Sequence, residues 1–186
     1  ISVRPLIDPL STPEILERLA SFTRKPLSGL KIAAYYGCLL VRPPKVLGFD
    51  DPEDPQSIDN ILRAIGAEPV EWYYKNECCG ASFSLTRVDM MHKMTHDVLL
   101  RAKKSGADAI ACACPLCQAN LDMRQEEIGK KYGTSFGLPV FYITELMALA
   151  MDLPEARQYW SKHMVDVQPA LAKIGKAPVQ AAAEEA

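Results

Sequence analysis

Five of the six cysteines are spaced so that their thiols could form one metal or redox site. They are Cys38, Cys78, Cys79, Cys114 and Cys117, and the sixth is Cys112. Thiolates are soft ligands that select zinc, copper(I) or iron–sulfur clusters. Structural zinc and a cubane iron–sulfur cluster each take four ligands. Five thiols therefore indicate a multinuclear cluster, or four ligands and one reactive thiol.

The adjacent pair Cys78–Cys79 favours the cluster. Neighbouring residues of an extended chain point in opposite directions, so their thiols suit two metal atoms better than a single ion. Gly80 follows directly and frees the backbone to bend. We expect this glycine to allow close approach of the backbone to a bound group.

The segment from Cys114 to Cys117 leaves the chemistry open. Pro115 is typical of a first helical position, which puts Cys114 at the start of a helix, where the dipole stabilises a thiolate. This suits a metal ligand and a redox dithiol equally. Two alternatives to a cluster therefore remain: a zinc-binding structural or docking module, and a thiol–disulfide domain that uses Cys114 and Cys117 directly.

The elements that must position these thiols alternate between strand and helix. Strands are predicted at residues 31–37, 69–74, 108–113 and 138–143, and helices at about 13–22, 57–65, 86–104, 115–130 and 144–153. The alternation implies parallel pairing, and the continuously apolar strands imply cover on both faces. The predicted fold class is α/β: a small, mostly parallel, Rossmann-like sheet of about four strands with helices on both faces.

The predicted topology brings the five thiols together. Cys38 follows the first strand, Cys78 and Cys79 follow the second, and Cys114 and Cys117 follow the third. Ligands of open parallel sheets bind beyond the carboxyl ends of the strands. We therefore expect all five at one edge of one sheet.

Length and composition restrict the class of protein. A chain of 186 residues is about one domain, and a net charge of −2 argues against nucleic acid or an anionic membrane as partner. No apolar run approaches the roughly 20 residues of a membrane span. Without an export signal, a reducing cytoplasm is expected, where cysteines serve more often as ligands or catalysts than as disulfides. Since the chain begins without Met, we expect a processed protein or a piece of a longer one.

We divide the chain into three parts. Residues 1–30 form a lead-in or linker with a short helix, residues 31–153 form the cysteine-rich domain, and residues 154–186 form a C-terminal extension. The tail from Pro169 is rich in Ala, Pro and Glu and is predicted to be disordered.

Several other residues are assigned structural roles. Cys112 lies within a strand and is expected to pack there. His92 and His96 are expected on a solvated helix face, and Arg42 and Lys45 in a solvated loop. The aromatic residues expected in the core or in the wall of a pocket are Tyr35, Tyr36, Trp72 and Tyr73.

The cysteine spacing C-x39-C-C-x34-C-x2-C, with Gly80 after the pair, resembles the cysteine-rich CCG domain of the heterodisulfide reductase B subunit. Residues 36–38, 77–81, 114–122 and 139–146 are similar to motifs of that subunit. The likeness covers roughly residues 24–153. Family members carry two CCG copies, and this chain resembles the C-terminal one, with residues 1–30 resembling the linker between copies.

The resemblance implies a function. It implies that Cys38, Cys78, Cys79, Cys114 and Cys117 hold a noncubane [4Fe-4S] cluster, which exposure to air during purification could remove. Its implied partners are a second CCG domain N-terminal to this segment, a ferredoxin-like C subunit and a flavin-bearing A subunit. The implied substrate is the CoB-CoM heterodisulfide or an analogous disulfide. Related CCG proteins include subunits of some succinate dehydrogenases and of glycolate and lactate oxidases. One copy is half of a two-cluster site, so we expect no disulfide cleavage by this chain alone.

Overall fold

The computed structural model describes residues 3–176 and contains a four-stranded, all-parallel sheet. The strands are β1 (Lys31–Tyr35), β2 (Glu68–Pro69), β3 (Ala109–Cys112) and β4 (Val140–Tyr142). Their order is β2-β1-β3-β4, and β1 and β3 pair in the register Ile32–Ala109 through Tyr35–Cys112. With helices packed on both faces, the predicted α/β class is confirmed.

Nine α-helices lie within the described residues: α1 (Ile7–Leu10), α2 (Pro13–Phe22), α3 (Pro44–Leu47), α4 (Ser57–Ala64), α5 (Val88–Lys104), α6 (Pro115–Met123), α7 (Gln125–Tyr132), α8 (Ile143–Ala150) and α9 (Gln168–Leu171). Ala81–Phe83 and Pro154–Lys162 form 3-10 helices. None of the described helices is long and apolar enough to span a membrane.

The sheet separates two cores because successive strand residues face opposite sides. Ile32 and Ala34 of β1 join the core that contains α4 and α8. Ala33 and Tyr35 join the core that contains α5, α6 and α7. Each face is thus covered by helices, which explains why β1 is apolar at four successive positions.

Helix α4 shows how the sequence pattern produces one element. Its residues Ile58, Ile61 and Leu62 share a face and are fully buried. The helix begins at Ser57, as predicted. Its N-terminus is capped by Asp50, a residue of the preceding loop, which accepts hydrogen bonds from the N–H groups of Gln56 and Ser57, the latter at 2.8 Å. A loop carboxylate thus satisfies backbone donors at the start of the helix.

Strand β2 is much shorter than the predicted strand 69–74. After Val70 donates to Ile32, the chain leaves the sheet. The indole of Trp72 instead donates to the carbonyl of Ala34 at 3.0 Å. A side chain therefore takes the acceptor that a longer β2 would have used, and this exchange is invisible in the local pattern.

The predicted helix 115–130 is divided into α6 and α7 at Arg124. The cause lies next to the break, where the amide of the buried Gln125 donates to the carbonyls of Leu121 and Leu138. Its Oε1 also accepts a hydrogen bond from the N–H of Leu138 at 3.0 Å. The side chain thus ties α7 to the segment that leads into β4.

Both ends of the described chain contribute to one core. Ile7 and Leu19 from the N-terminal side pack with Val167 and Ala170 from the C-terminal side on the face that contains α4. The prediction of disorder from Pro169 is wrong as far as Lys176, because α9 extends to Leu171 and backbone hydrogen bonds continue up to the N–H of Lys176. The remainder of the predicted disordered tail, 177–186, lies outside the described residues.

Candidate functional site

The strand order places a crevice between the carboxyl ends of β1 and β3. From β1 the chain crosses through α4 to β2 on one side, whereas β3 lies on the other side of β1. Loops that leave β1 and β3 therefore diverge, which is the point where doubly wound sheets bind ligands. Cys38 follows β1, and Cys114 follows β3 and is the N-cap residue of α6.

A cavity of about 400 Å³ fills this crevice, and five of the six cysteines line it. We call it the cysteine cavity; its lining residues are Tyr36, Cys38, Leu39, Leu40, Cys78, Cys79, Ala81, Ser82, Ala113, Cys114, Pro115, Leu116 and Cys117. No charged side chain is among them. The thiols therefore dominate the chemistry of an otherwise apolar wall.

Two of these thiols already form a pair. The Sγ atoms of Cys79 and Cys117 are 3.6 Å apart, and both residues are buried. Their hydrogen bond lowers the pKa of Cys79 to about 6 and raises the pKa of Cys117. The two thiols are close enough to titrate as a coupled pair.

The other thiols are less deeply placed. Cys38, Cys78 and Cys114 are partly exposed at the cavity wall. Burial, followed by the hydrogen bond with Cys78, raises the pKa of Cys38 to about 11. A bound soft metal would instead lower the pKa of each coordinating thiol, because the thiol releases its proton to solvent and binds as the thiolate.

Two glycines lie beside this site, and only Gly80 was assigned a role from the sequence. Gly80 has φ +82°, and a Cβ there would lie 3.0 Å from Cα of Met91, so this glycine makes room for α5 rather than for a group in the cavity. Gly37, with φ +67°, is the glycine beside a thiol, since a Cβ there would lie 3.3 Å from Sγ of Cys117. The interpretation of Gly80 is thus corrected, and Gly37 was missed.

The Cys78–Cys79 turn is held by side chains from three elements. The hydroxyl of Tyr35 donates to the carbonyl of Glu77 at 2.6 Å. The hydroxyl of Thr95 on α5 and the amide of Asn120 on α6 both donate to the carbonyl of Cys79, at 2.7 and 3.0 Å.

These three residues were missed as supports of the site, although a signal existed for two of them. Thr95 is a polar residue on the apolar stripe of α5, and Asn120 lies in the motif around Cys114 and Cys117. A polar side chain on a buried face requires a hydrogen-bonding partner.

A second network fixes the loop that carries Cys38. The backbone N–H groups of Tyr36 and Gly37 donate to the carbonyl of Lys75. The Tyr36 hydroxyl donates to Asp59 at 2.6 Å and accepts from the N–H of Ile58 at 2.8 Å. Lys75, whose side chain is 5% exposed, completes the network with an ion pair to Asp59 at 3.6 Å.

Some residues singled out in the sequence lie elsewhere. Cys112 is fully buried, with Sγ 3.6 Å from the carbonyl of Phe141, and does not line the cavity, as expected of a packed strand residue. Tyr73 is completely exposed and does not line the cavity, so its assignment to the core or a pocket wall is wrong, whereas Tyr35, Tyr36 and Trp72 are buried.

The two helix histidines and the loop cations also lie away from the cavity. His92 and His96 are largely buried between α5 and α7, His92 against Glu127 at 3.0 Å and His96 against the ring of Tyr132. Their predicted solvated position is wrong. Arg42 turns back onto the carbonyl of Pro52 at 3.1 Å, and neither it nor Lys45 lines the cavity.

The arrangement differs from a site for one metal ion. Among residues 3–176, no three His, Cys, Asp or Glu side chains are gathered closely enough to hold a single ion. The five thiols are instead spread over the wall of one cavity. Five sulfurs around one space form a soft donor set, of the kind that binds zinc, copper(I) or an iron–sulfur cluster.

Fold and site together define a thiol-rich α/β domain with a cysteine-lined cavity. The model of the CCG family, described as a cysteine-rich domain, matches residues 32–122. This stretch contains all six cysteines and therefore every thiol of the cysteine cavity. The chain therefore contains a CCG cysteine-rich domain similar to that of the heterodisulfide reductase B subunit.

Curated relatives agree with this assignment. The 8-methylmenaquinol:fumarate reductase membrane anchor subunit of Wolinella succinogenes is 35% identical over 151 residues, which is 81% of this chain and 53% of the relative. The B subunit of the ferredoxin:CoB-CoM heterodisulfide reductase of Methanosarcina mazei is 34% identical over 137 residues, 73% of this chain and 45% of the relative. An Archaeoglobus profundus protein described as similar to the heterodisulfide reductase B subunit is 29% identical over 140 residues, 73% of this chain and 47% of the relative. The chain thus spans about half the length of the curated relatives it matches.

Proposed function

We propose that this chain is an iron–sulfur redox domain of a heterodisulfide reductase-like oxidoreductase and delivers electrons to a disulfide substrate. The ligands would be Cys38, Cys78, Cys79, Cys114 and Cys117, and the bound group a noncubane [4Fe-4S] cluster. The observation that carries the proposal is the cysteine cavity, which is lined by these five thiols and by no charged side chain.

The residues of the chain have definable tasks in this function. Five thiols would bind the cluster, which when bound would supply one-electron chemistry to a disulfide. The apolar wall of the cavity, which includes Leu39 and Leu116, would exclude water from the centre. In this chain both leucine side chains are mostly exposed, at 76% and 69%. Tyr35 and Tyr36 would keep the cysteine loops in place through their hydroxyl bonds.

We further propose that the chain works within a larger assembly. The aligned segments cover only 53% and 45% of two of these relatives, so each relative has a further stretch long enough for a second CCG domain, which we place N-terminal to this segment. The exposed Leu39 and Leu116 beside the cavity would face that domain. A ferredoxin-like C subunit and a flavin-bearing A subunit would supply electrons, and the disulfide would be the CoB-CoM heterodisulfide or an analogue. Six free thiols support a reducing, cytoplasmic location.

Anaerobic reconstitution tests the proposal. The purified chain is incubated with ferrous iron, sulfide and a thiol reductant, desalted, and analysed for iron, acid-labile sulfide and visible absorption. We expect about four iron atoms and a matching amount of sulfide per chain, with broad absorption from sulfur-to-iron charge transfer. Colourless protein that binds zinc in the same buffer and no iron would contradict the proposal and favour a zinc module.

A matched pair of cysteine variants separates specific from adventitious iron. Cys38→Ala removes a proposed ligand, whereas Cys112→Ala removes a buried thiol outside the cysteine cavity. We expect Cys38→Ala to lose most of the iron and Cys112→Ala to keep it. Equal iron contents in both variants would refute the proposed ligand set.

A further inference from the structure

A buried amide next to the cysteine cavity has no part in the ligand set proposed above. Asn120 on α6 is 6% exposed, and its Nδ2 donates to the carbonyl of Cys79 at 3.0 Å and to Oγ1 of Thr95 at 2.9 Å. Thr95 on α5 is fully buried and itself donates to the Cys79 carbonyl at 2.7 Å. The three groups form a closed triangle that joins two helices to one backbone oxygen.

The acceptor of this triangle, the Cys79 carbonyl, lies in a turn whose peptide orientation must be fixed. The Cys79 carbonyl belongs to the peptide group between Cys79 and Gly80, and Gly80 is in the left-handed region at φ +82°. A tight turn of this kind can rotate its peptide groups unless their oxygens are held. Two hydrogen bonds in a dry environment hold the oxygen firmly, because rotation of the peptide group would break both bonds where water cannot replace them.

The same amide retains an unused acceptor. Among the described residues, Asn120 Oδ1 is one of the few buried side-chain atoms with no hydrogen-bond partner. An unsatisfied buried oxygen costs stability, so an apolar residue would be the better choice if packing alone decided this position. The presence of an amide at this position is explained by its Nδ2 group, which donates a hydrogen bond to the Cys79 carbonyl that an apolar side chain could not make.

We propose that Asn120, together with Thr95, is a positioning residue of the cysteine site: by fixing the Cys79 carbonyl it sets Cys79 Sγ at its 3.6 Å separation from Cys117 Sγ. Both thiols belong to the same wall of the cysteine cavity. Asn120 is in the same helix as Cys117, so its bond to the Cys79 carbonyl sets the distance between two cysteines that are 38 positions apart in the chain.

The inference rests on the proposed function only for the identity of the bound group. Without a bound group, the same residues still hold Cys79 against Cys117. Its test therefore has one arm that needs iron and one that does not, and the two can fail separately.

The variants are Asn120→Leu, which keeps the volume and removes the amide, and Thr95→Val, which removes only the hydroxyl. The matched control is Gln125→Leu. Gln125 is equally buried at 6%, and its amide bonds Leu121 and Leu138 rather than a cysteine. All chains are first compared by urea unfolding in the metal-free, reduced state, and Thr95→Val, the mildest change, serves if Asn120→Leu does not fold.

The first arm uses the metal-free chain with diamide, an azo compound that accepts two electrons and two protons as Cys79 and Cys117 form an S–S bond. Peptide mapping by mass spectrometry follows this disulfide. We expect its formation to slow about tenfold in Asn120→Leu and less in Thr95→Val, because misplacement of reacting atoms by a fraction of an ångström has effects of this size. The control should stay within about twofold of the parent.

The second arm follows iron release from the reconstituted chain to a chelator, with the absorption spectrum as signature. We expect release about tenfold faster in Asn120→Leu and an unchanged rate in the control, as for other residues that orient metal ligands. If Gln125→Leu changes both rates as much as Asn120→Leu does, the role is merely structural and the inference is overturned. Unchanged rates in Asn120→Leu overturn it too. If the parent binds no iron, the proposed function fails and the disulfide rate alone decides this inference.

Discussion

The stability of this fold should depend on pH through the buried His163. His163 follows the 3-10 helix Pro154–Lys162, and its side chain is 2% exposed. Its Nε2 lies 3.2 Å from Oε1 of Glu145 on α8, and its Nδ1 lies 3.9 Å from Oδ1 of Asp122 on α6. Asp122 and, next, Glu145 raise the pKa of His163 to about 9.

The raised pKa determines the sign and the size of the effect. The folded protein holds the proton more tightly than the unfolded chain, whose histidine has its ordinary pKa of about 6.5. The imidazolium therefore stabilises the fold fully below about pH 6.5, and this stabilisation is lost as the pH rises to about 9 and above. From the pKa difference, the contribution at low pH is about 3 kcal/mol.

Urea unfolding of the reduced chain at several pH values between about 6 and 10 measures this contribution. Other groups also titrate in this range, so the quantity compared is the difference between the parent and His163→Gln. We expect His163→Gln to be destabilised by about 3 kcal/mol more at pH 6 than at pH 10. The exposed neighbour substitution Lys162→Gln should give a difference within about 0.5 kcal/mol at every pH. A His163→Gln effect that is constant, or that grows with pH, would refute the reasoning.

Three further predictions concern stability, each measured by urea unfolding of the metal-free chain. Gly80→Ala should cost about 2 kcal/mol, because alanine is strained at φ +82° and its Cβ would press on the backbone of Met91; an unchanged midpoint would contradict this. Tyr36→Phe should cost about 1–3 kcal/mol because it removes the hydrogen bond that the hydroxyl donates to the buried Asp59, and a neutral result would show that this bond contributes nothing. Ile61→Ala should cost about 3–4 kcal/mol because the side chain is fully buried, and a loss below about 1 kcal/mol would place it outside the core.

The fold class could be predicted because its determinants are local. The spacing of Ile58, Ile61 and Leu62 specifies a helix with one buried face. The continuous apolar run of β1 specifies a strand that is covered by helices on both faces of the sheet. Parallel pairing then follows from the alternation of elements. The positions of five cysteines after strands were enough to predict their convergence on one cavity.

What could not be predicted depends on contacts between distant residues. The indole of Trp72 ends β2 by taking a carbonyl of β1, and the amide of Gln125 marks the break between α6 and α7. His92 appeared to belong to a solvated face because the packing of α7 on α5 cannot be read from α5 alone. The role of Asn120 likewise required the position of Cys79, which lies 41 residues away in the chain.

The most direct test of the proposed cluster site is the iron content of six single Cys→Ser variants, reconstituted side by side under anaerobic conditions. We predict large losses of iron when Cys38, Cys78, Cys79, Cys114 or Cys117 is replaced, and parental iron when the buried Cys112 is replaced. Loss of iron in the Cys112 variant to the level of the other five, or parental iron and an unchanged spectrum in all six, would contradict a cluster held by the cysteine cavity.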